Sequence, residues 1–363
     1  MHFIHKASQR LWWNAAQWRR RLLGHTRNYS TTFSVINQFI PHKTRKLYMF
    51  KPLLLPSILS LGGKNDFSPN PDVDAEIEDN ITHLIILAKL ALEKGDKERA
   101  EAILDMGLKL CEERNITFGM PFMYDILATI ALSNGEIDKA ENLLVTIIEK
   151  MSKVGASEDD HHIVDFKLRL ARIYSAFREY DLAEIGFKSC LEAQKQKIIE
   201  GDISTKTGML YVNILFWYGI HKIRNNYFLS AKKLLDTAYD YSGKIKGLSP
   251  YQEMVILYTL ADLNMELGEM DIALVNMQNA VMLGKGIGST DLPRCYVKLA
   301  KIYHKMKVDD QARFAVEEGV KLAKIFNHFD VLQDGHELLA ELNKNKIDSP
   351  KMPNMDDPAN IMS

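Results

Sequence analysis

Phe122–Met151 reads FMYDILATIALSNGEIDKAENLLVTIIEKM, and this stretch decides the fold. Tyr124, Leu127, Ala128 and Ala131 fall on one face of a helix by their spacing, and Ala140, Leu144 and Ile147 do the same after a break. Between them stands Gly135, which can take the left-handed backbone that ends a helix. A small residue on each arm, Ala128 and Ala140, lets two antiparallel helices approach closely. The stretch is predicted to be a helical hairpin.

The same arrangement recurs in both directions. Upstream, ITHLIILAKLALEKGDKERAEAILDMGLKLCEE (81–113) places Leu84, Leu87, Ala88 and Ala91 on one face, Gly95 at the break, Asp96 as a helix cap, and Ala100, Leu104 and Gly107 on the return. Downstream the small pairs are Ala171 and Ala183, Gly219 and Ala231, Ala261 and Ala273, and Ala300 and Ala312. The second of each pair follows its turn residue by five positions. The turns fall on Gly95, Gly135, Arg178, Asn226, Gly268 and Lys307, with the fourth hairpin the most degenerate. A recurrence of about 40 residues marks a stack of hairpins. An amphipathic segment at about 329–343 is expected to cap it. The predicted fold is therefore all-α, a solenoid of about six helical hairpins over 81–343.

Charge divides the chain unevenly. Residues 1–65 hold eleven Lys or Arg and no acid, leaving 35 basic and 47 acidic side chains in the rest. An acidic body lacks the basic footprint that nucleic-acid binding requires. Ile4, Ala7, Leu11, Ala15, Trp18 and Leu22 alternate with Lys6, Arg10, Asn14, Gln17 and Arg21 at helical spacing, ahead of a Ser/Thr-rich stretch. That combination predicts a mitochondrial transit peptide, 1–29, with cleavage after Tyr29. Residues 30–80 are read as a basic and apolar membrane-proximal segment with a Gly/Pro/Asp-rich linker at 62–80. Within it LYMFKPLLLPSILSL (47–61) is apolar but short of a span and broken by Lys51, Pro52 and Pro56. Residues 344–363 carry three prolines and are read as a disordered tail.

Local spacing yields no catalytic group, cofactor site or metal site. Cys111, Cys190 and Cys295 are far apart and predicted to be buried structural thiols. Gly284-Lys285-Gly286-Ile287-Gly288-Ser289-Thr290 lacks the order of a phosphate loop and is read as an inter-hairpin loop. Asp159-Asp160-His161-His162 is read as a solvated loop, since adjacent residues seldom converge on one ion. His336-Glu337 lacks the second His of a zinc-protease helix, residue 340 being Ala. No small-molecule substrate is indicated.

The hairpins resemble tetratricopeptide repeats, in which the first helix of each pair lines a concave face. By that register the partner-binding groove would include Lys89, Asp125, Leu168, Arg172, Phe216, Ile220, Tyr258, Asp262, Lys301 and His304. Its apolar middle and charged ends suit a protein segment with a hydrophobic anchor. The Lys and Asn pair that holds the terminal carboxylate of heat-shock chaperones is not matched in any hairpin.

Over MYDILATIALSNGEIDKAENLL and IVDFKLRLARIYSAFREYDLAEIGFKSCLEAQ the chain resembles, more specifically, the mitochondrial tetratricopeptide repeat protein 19 family in an invertebrate form. The resemblance implies a non-enzymatic inner-membrane scaffold. It further implies association with subunits of respiratory complex III, support of the assembly and maintenance of that complex, and clearance of N-terminal fragments of the Rieske iron–sulfur protein. A different class remains open: a cytosolic motor or trafficking adaptor of the kinesin-light-chain type, whose repeats have a similarly long period.

Overall fold

A computed structural model of the protein describes residues 75–245 and 248–348. The transit peptide expected at 1–29, the apolar stretch 47–61 and most of the expected tail lie outside the described residues. Thirteen α-helices and no strand occur among the described residues, as the hairpin pattern predicts. They divide into two compact units, which part between Leu248 and Ser249.

The first unit holds α1 (Ala75–Glu93), α2 (Lys97–Glu113), α3 (Met120–Asn134), α4 (Ile137–Lys153), α5 (His161–Ala176), α6 (Tyr180–Ile199), α7 (Thr205–Arg224) and α8 (Phe228–Ser242). The second holds α9 (Pro250–Glu266), α10 (Met270–Gly286), α11 (Leu292–Lys305), α12 (Asp309–Ile325) and α13 (Phe329–Asp348). Each first helix packs mainly against its own hairpin partner, and within each unit each hairpin packs on the next.

Small residues form the seam of every hairpin. Ala88, Ala100, Ala128, Ala140, Ala171, Ala183, Ala231, Ala261, Ala273, Ala300 and Ala312 are all fully buried. At the twelfth position stands Gly219, where a β-carbon would come within 2.8 Å of Leu235 Cγ. Leu235 thus fills the space a side chain at 219 would need, and glycine is what the seam of this fourth hairpin admits. Its weak sequence pattern does not weaken the structure.

The turns obey one rule. Gly95, Gly135, Arg178, Asn226, Gly268 and Lys307 all adopt positive φ, between 60° and 80°. The next residue then donates its N–H back into the last turn, as Glu136 does to Ala131 O at 2.8 Å and Glu179 to Tyr174 O at 2.9 Å. This closure satisfies carbonyls that a helix end otherwise leaves open. Helix starts are capped as well. Asp96 accepts from the backbone N–H of Arg99, Asp160 from those of His162 and Ile163, and Ser249 forms a capping box with Gln252.

Three expectations need adjustment. Helix α1 already includes Ala75, the first described residue, inside the stretch read as linker, and carries Glu76 and Glu78 near that end. Helix α13 continues to Asp348, beyond the 343 boundary, before the prolines begin. Gly284 and Gly286 belong to the last turns of α10 rather than to a loop. A β-carbon on Gly284 would meet Met254 Sδ at 3.0 Å and Leu292 Cδ1 at 3.1 Å, so its small size serves helix packing. As a cap, α13 buries Val331, Leu338 and Leu342 and packs against α12 and α11.

Candidate functional site

The first helices of the hairpins carry the residues read as a groove, and the structure sorts these ten into different surroundings. Lys89 is exposed on α1, where Ile86, Leu87 and Leu90 are exposed as well. Leu168, Phe216, Ile220 and Tyr258 are buried. Asp125 and Asp262 are buried too, each facing a cation from the next first helix. Lys301 reaches Asp334 at 2.8 Å, and His304 lies between Asp309 at 2.8 Å and Glu341 at 3.4 Å. Arg172 is half-buried, with its guanidinium 3.7 Å above the ring of Trp217. Lys89 and Arg172 are therefore the two of the ten that combine access to solvent with freedom from an ion pair among the described residues.

Several partners of these residues could not be read from local spacing. In the first unit, Arg169 of α5 sits 2.5 Å from Asp125 of α3 and 3.3 Å from Asp165, one turn back on its own helix. Burial opposes its charge, but the two carboxylates outweigh that and hold the guanidinium above its ordinary pKa. Further along α5, Ser175 accepts from Arg224 Nη1 of α7 at 3.2 Å, and His221 Nδ1 lies 3.0 Å away. Glu184 of α6 gathers the Tyr218 hydroxyl at 2.7 Å and the Lys222 ammonium at 2.8 Å, both from α7. Partial burial would raise its pKa, yet the donors from His221, Lys222, Tyr218 and Lys188 hold it well below the usual carboxylate range. In the second unit, Lys298 of α11 pairs with Asp262 of α9 beside Tyr258. Burial disfavours the Lys298 charge, and Tyr258 and Asp262 more than offset it.

Arg172 differs from all of these. Among the described residues it makes no ion pair or hydrogen bond, and its Nε is buried without an acceptor. Burial, reinforced by Arg169 and Arg224, pulls its pKa down to about 9. Trp217, its platform, went unnoticed in the groove reading. One signal could have found it: Trp12, Trp13 and Trp18 lie in the first 29 residues, so Trp217 is the one tryptophan of the helical body.

The remaining chemistry-bearing motifs have structural roles. Asp160 caps α5, Asp159 accepts from the Ser157 hydroxyl, and His161 and His162 open α5, so the motif joins a loop to a helix start. Among the described residues no group of three or more His, Cys, Asp or Glu is arranged to hold a metal ion. Cys111, Cys190 and Cys295 are buried free thiols, as expected. Burial pushes them up to about 11, 12 and 12, far from reactive thiolates. No described helix is long and apolar enough to cross a membrane.

Known proteins resemble this chain along most of its length. Tetratricopeptide repeat protein 19, mitochondrial, of Mus musculus is 27% identical over 285 residues, covering 76% of this chain and 78% of that protein. The Homo sapiens protein of the same name is 26% identical, over 74% of this chain and 73% of its own. The Drosophila melanogaster protein, named as the homolog of protein 19, is 21% identical over 73% and 72%. Residues 215–292 and 288–346 match the family profile described as Anaphase-promoting complex subunit 5, which is less than half of the chain. Among solved structures, a signal-transduction ATPase with a tetratricopeptide repeat sensor from Pyrococcus horikoshii superposes with a TM-score of 0.51 at 15% identity, over 89% of this chain and 59% of that one. A Rap protein complexed with competence and sporulation factor superposes with a TM-score of 0.50 at 15% identity, over 77% of each chain. These structural likenesses speak to the fold: the chain is a tetratricopeptide-repeat-like helical protein.

Proposed function

We propose that this chain is a mitochondrial, non-enzymatic scaffold that binds subunits of respiratory complex III at the inner membrane. In this reading it supports the assembly and maintenance of the complex, including clearance of Rieske iron–sulfur protein N-terminal fragments. The observation that carries the reading is the likeness to proteins named Tetratricopeptide repeat protein 19, mitochondrial, across about three quarters of the chain. An acid-free, Arg-rich N-terminus supports the same compartment, because the potential across the inner membrane draws positive charge inward.

In this scheme 1–29 is the transit peptide, 30–80 carries the chain to the membrane surface, 81–343 presents the repeats and 344–363 is a tail. The first helices offer the partner surface, with Lys89 and Arg172 as its charged groups outside any ion pair among the described residues. Partner recognition then depends on the order of side chains along successive hairpins, as in other stacked-repeat proteins.

Three measurements test this reading. A reporter fused to residues 1–65 should enter mitochondria and be cut; an uncut cytosolic reporter would favour the adaptor of the kinesin-light-chain type. Affinity capture of the full chain from detergent-solubilised mitochondria should bring down complex III subunits. Cells lacking the protein should accumulate Rieske N-terminal fragments. Normal fragment levels together with empty capture would remove the complex III assignment.

A further inference from the structure

We propose that Arg172 on α5, held against Trp217 on α7, is an anchor for one carboxylate, supplied by an acidic side chain of a bound protein segment. This deepens the scaffold reading and rests on it.

The argument starts from the arginines of the first unit. Arg169 has Asp125 and Asp165, and Arg224 donates to Ser175. Arg172 stands three residues from Arg169 with no acceptor, although its Nε is closed off from solvent. A buried donor left unmatched is destabilising, and more so when it is charged. A structural role would be served by a neutral side chain at lower cost, or by a paired arginine like its neighbour. The unmatched guanidinium makes sense when its acceptor arrives with a partner.

Trp217 prepares the group for that acceptor. With the ring 3.7 Å from the guanidinium carbon, one face of Arg172 is stacked and its plane is set. Stacking leaves the terminal Nη edge free, Nε alone being closed off, and that edge fits a carboxylate by two parallel hydrogen bonds. Along α7 the neighbours Phe216 and Tyr218 are buried while Trp217 is half-exposed. Arg172 has the same partial exposure on α5, where the preceding nine residues are buried. The pair is thus a point at which the middle of α7 and the start of the last turn of α5 open to solvent, the other openings lying in the first and last turns of these helices.

Local charge selects the ligand. Asp165 lies close enough to Arg172 to act on its ionisation. A dianionic phosphate would meet that carboxylate with a single unmatched cation to hold it. A monoanionic carboxylate matches the one available charge and the planar fork. Beyond residue 65 the chain has 47 acids against 35 bases, so a cation without a carboxylate on an acidic body reads the position of an acidic residue and not total charge.

The test uses the full chain with Trp12, Trp13 and Trp18 replaced by Phe, so that emission reports Trp217 alone. The probes are three acetylated and amidated random peptide libraries, identical except for a central Glu, Gln or phosphoserine. Retention of the Glu library should exceed that of the Gln library at least tenfold, with a change in Trp217 emission on binding. Arg172→Gln should remove the preference, and Arg172→Lys, which keeps the charge without the fork, should restore part of it. Equal retention of Glu and Gln by the parent chain, no retention of any library, or a preference for phosphoserine each overturn the anchor. Those comparisons need no variant, so a misfolded Arg172→Gln leaves the decision intact. Capture of complex III subunits alongside equal Glu and Gln retention would sink the anchor and leave the scaffold. A Glu preference with empty mitochondrial capture would keep the anchor and remove that partner.

Discussion

Lys298 of α11 and Asp262 of α9 face each other across successive first helices, and both side chains are closed off from solvent. The pair lies inside the second unit, with the ring of Tyr258 beside the ammonium. Removing one partner strands the other. Asp262→Ala is expected to destabilise this unit by about 3–5 kcal/mol, whereas Asp262→Leu with Lys298→Met should recover most of the loss. Hydrogen exchange across α9–α12 is the measurement, since two units rule out reading one global transition. A double variant as unstable as the single one would show that the charges themselves hold these helices.

The seam of small residues predicts a second outcome. Ala128 and Ala261 are fully buried where paired helices cross, one in each unit. Ala128→Trp and Ala261→Trp should each destabilise their own unit by about 1–3 kcal/mol or more through overpacking, and so lower its melting temperature. Unchanged melting in both would mean that the helices have room to separate.

The thiols predict a third. All three cysteines are buried and their pKa values lie at about 11 or 12. Native protein should fail to react with a disulfide reagent at pH 7.5, and guanidinium-unfolded protein should release three equivalents. Fast native reaction at one site would place that thiol at a surface opening.

Histidines give the units opposite responses to acid. His161 of α5 lies 2.7 Å from Thr207 Oγ1, and burial with Lys197 holds its pKa below the usual 6.5. Its contribution is present above that value and is lost as pH falls through the lowered one. His304 of α11 is raised by Asp309 and by Glu341. Its contribution is complete below 6.5 and fades as pH rises through the raised value. Across pH 5 to 8, His161→Gln should therefore remove a loss of stability on the acid side in the first unit. His304→Gln should remove a loss on the alkaline side in the second. Local hydrogen exchange in α5 and α11 reads each effect, and slopes of the same sign would contradict the assignment.

Phe216 and Tyr258 show how far periodicity reaches. Helical spacing placed both on first helices, and both are there, but it assigned them to an open groove while the structure buries them. Trp217, one residue along from Phe216, is the ring that reaches the surface. A helix turns about 100° per residue, so a register that is right to within one residue still exchanges an inward side chain for an outward one.

What the amino-acid order determined by itself was the hairpin. Ala128 and Ala140, or Gly219 and Ala231, meet across a turn only a few residues long, and the left-handed turn residue sits between them. Both ingredients are local, so twelve residues of spacing suffice to see them. Tertiary structure alone decided which charges on the first helices are spoken for. Arg169 finds Asp125 forty-four positions away, and Lys298 finds Asp262 thirty-six positions away. Arg172 finds a ring and no carboxylate. Those outcomes depend on how one hairpin rotates against the next, and that rotation is set by packing summed over whole helices, which no short pattern records.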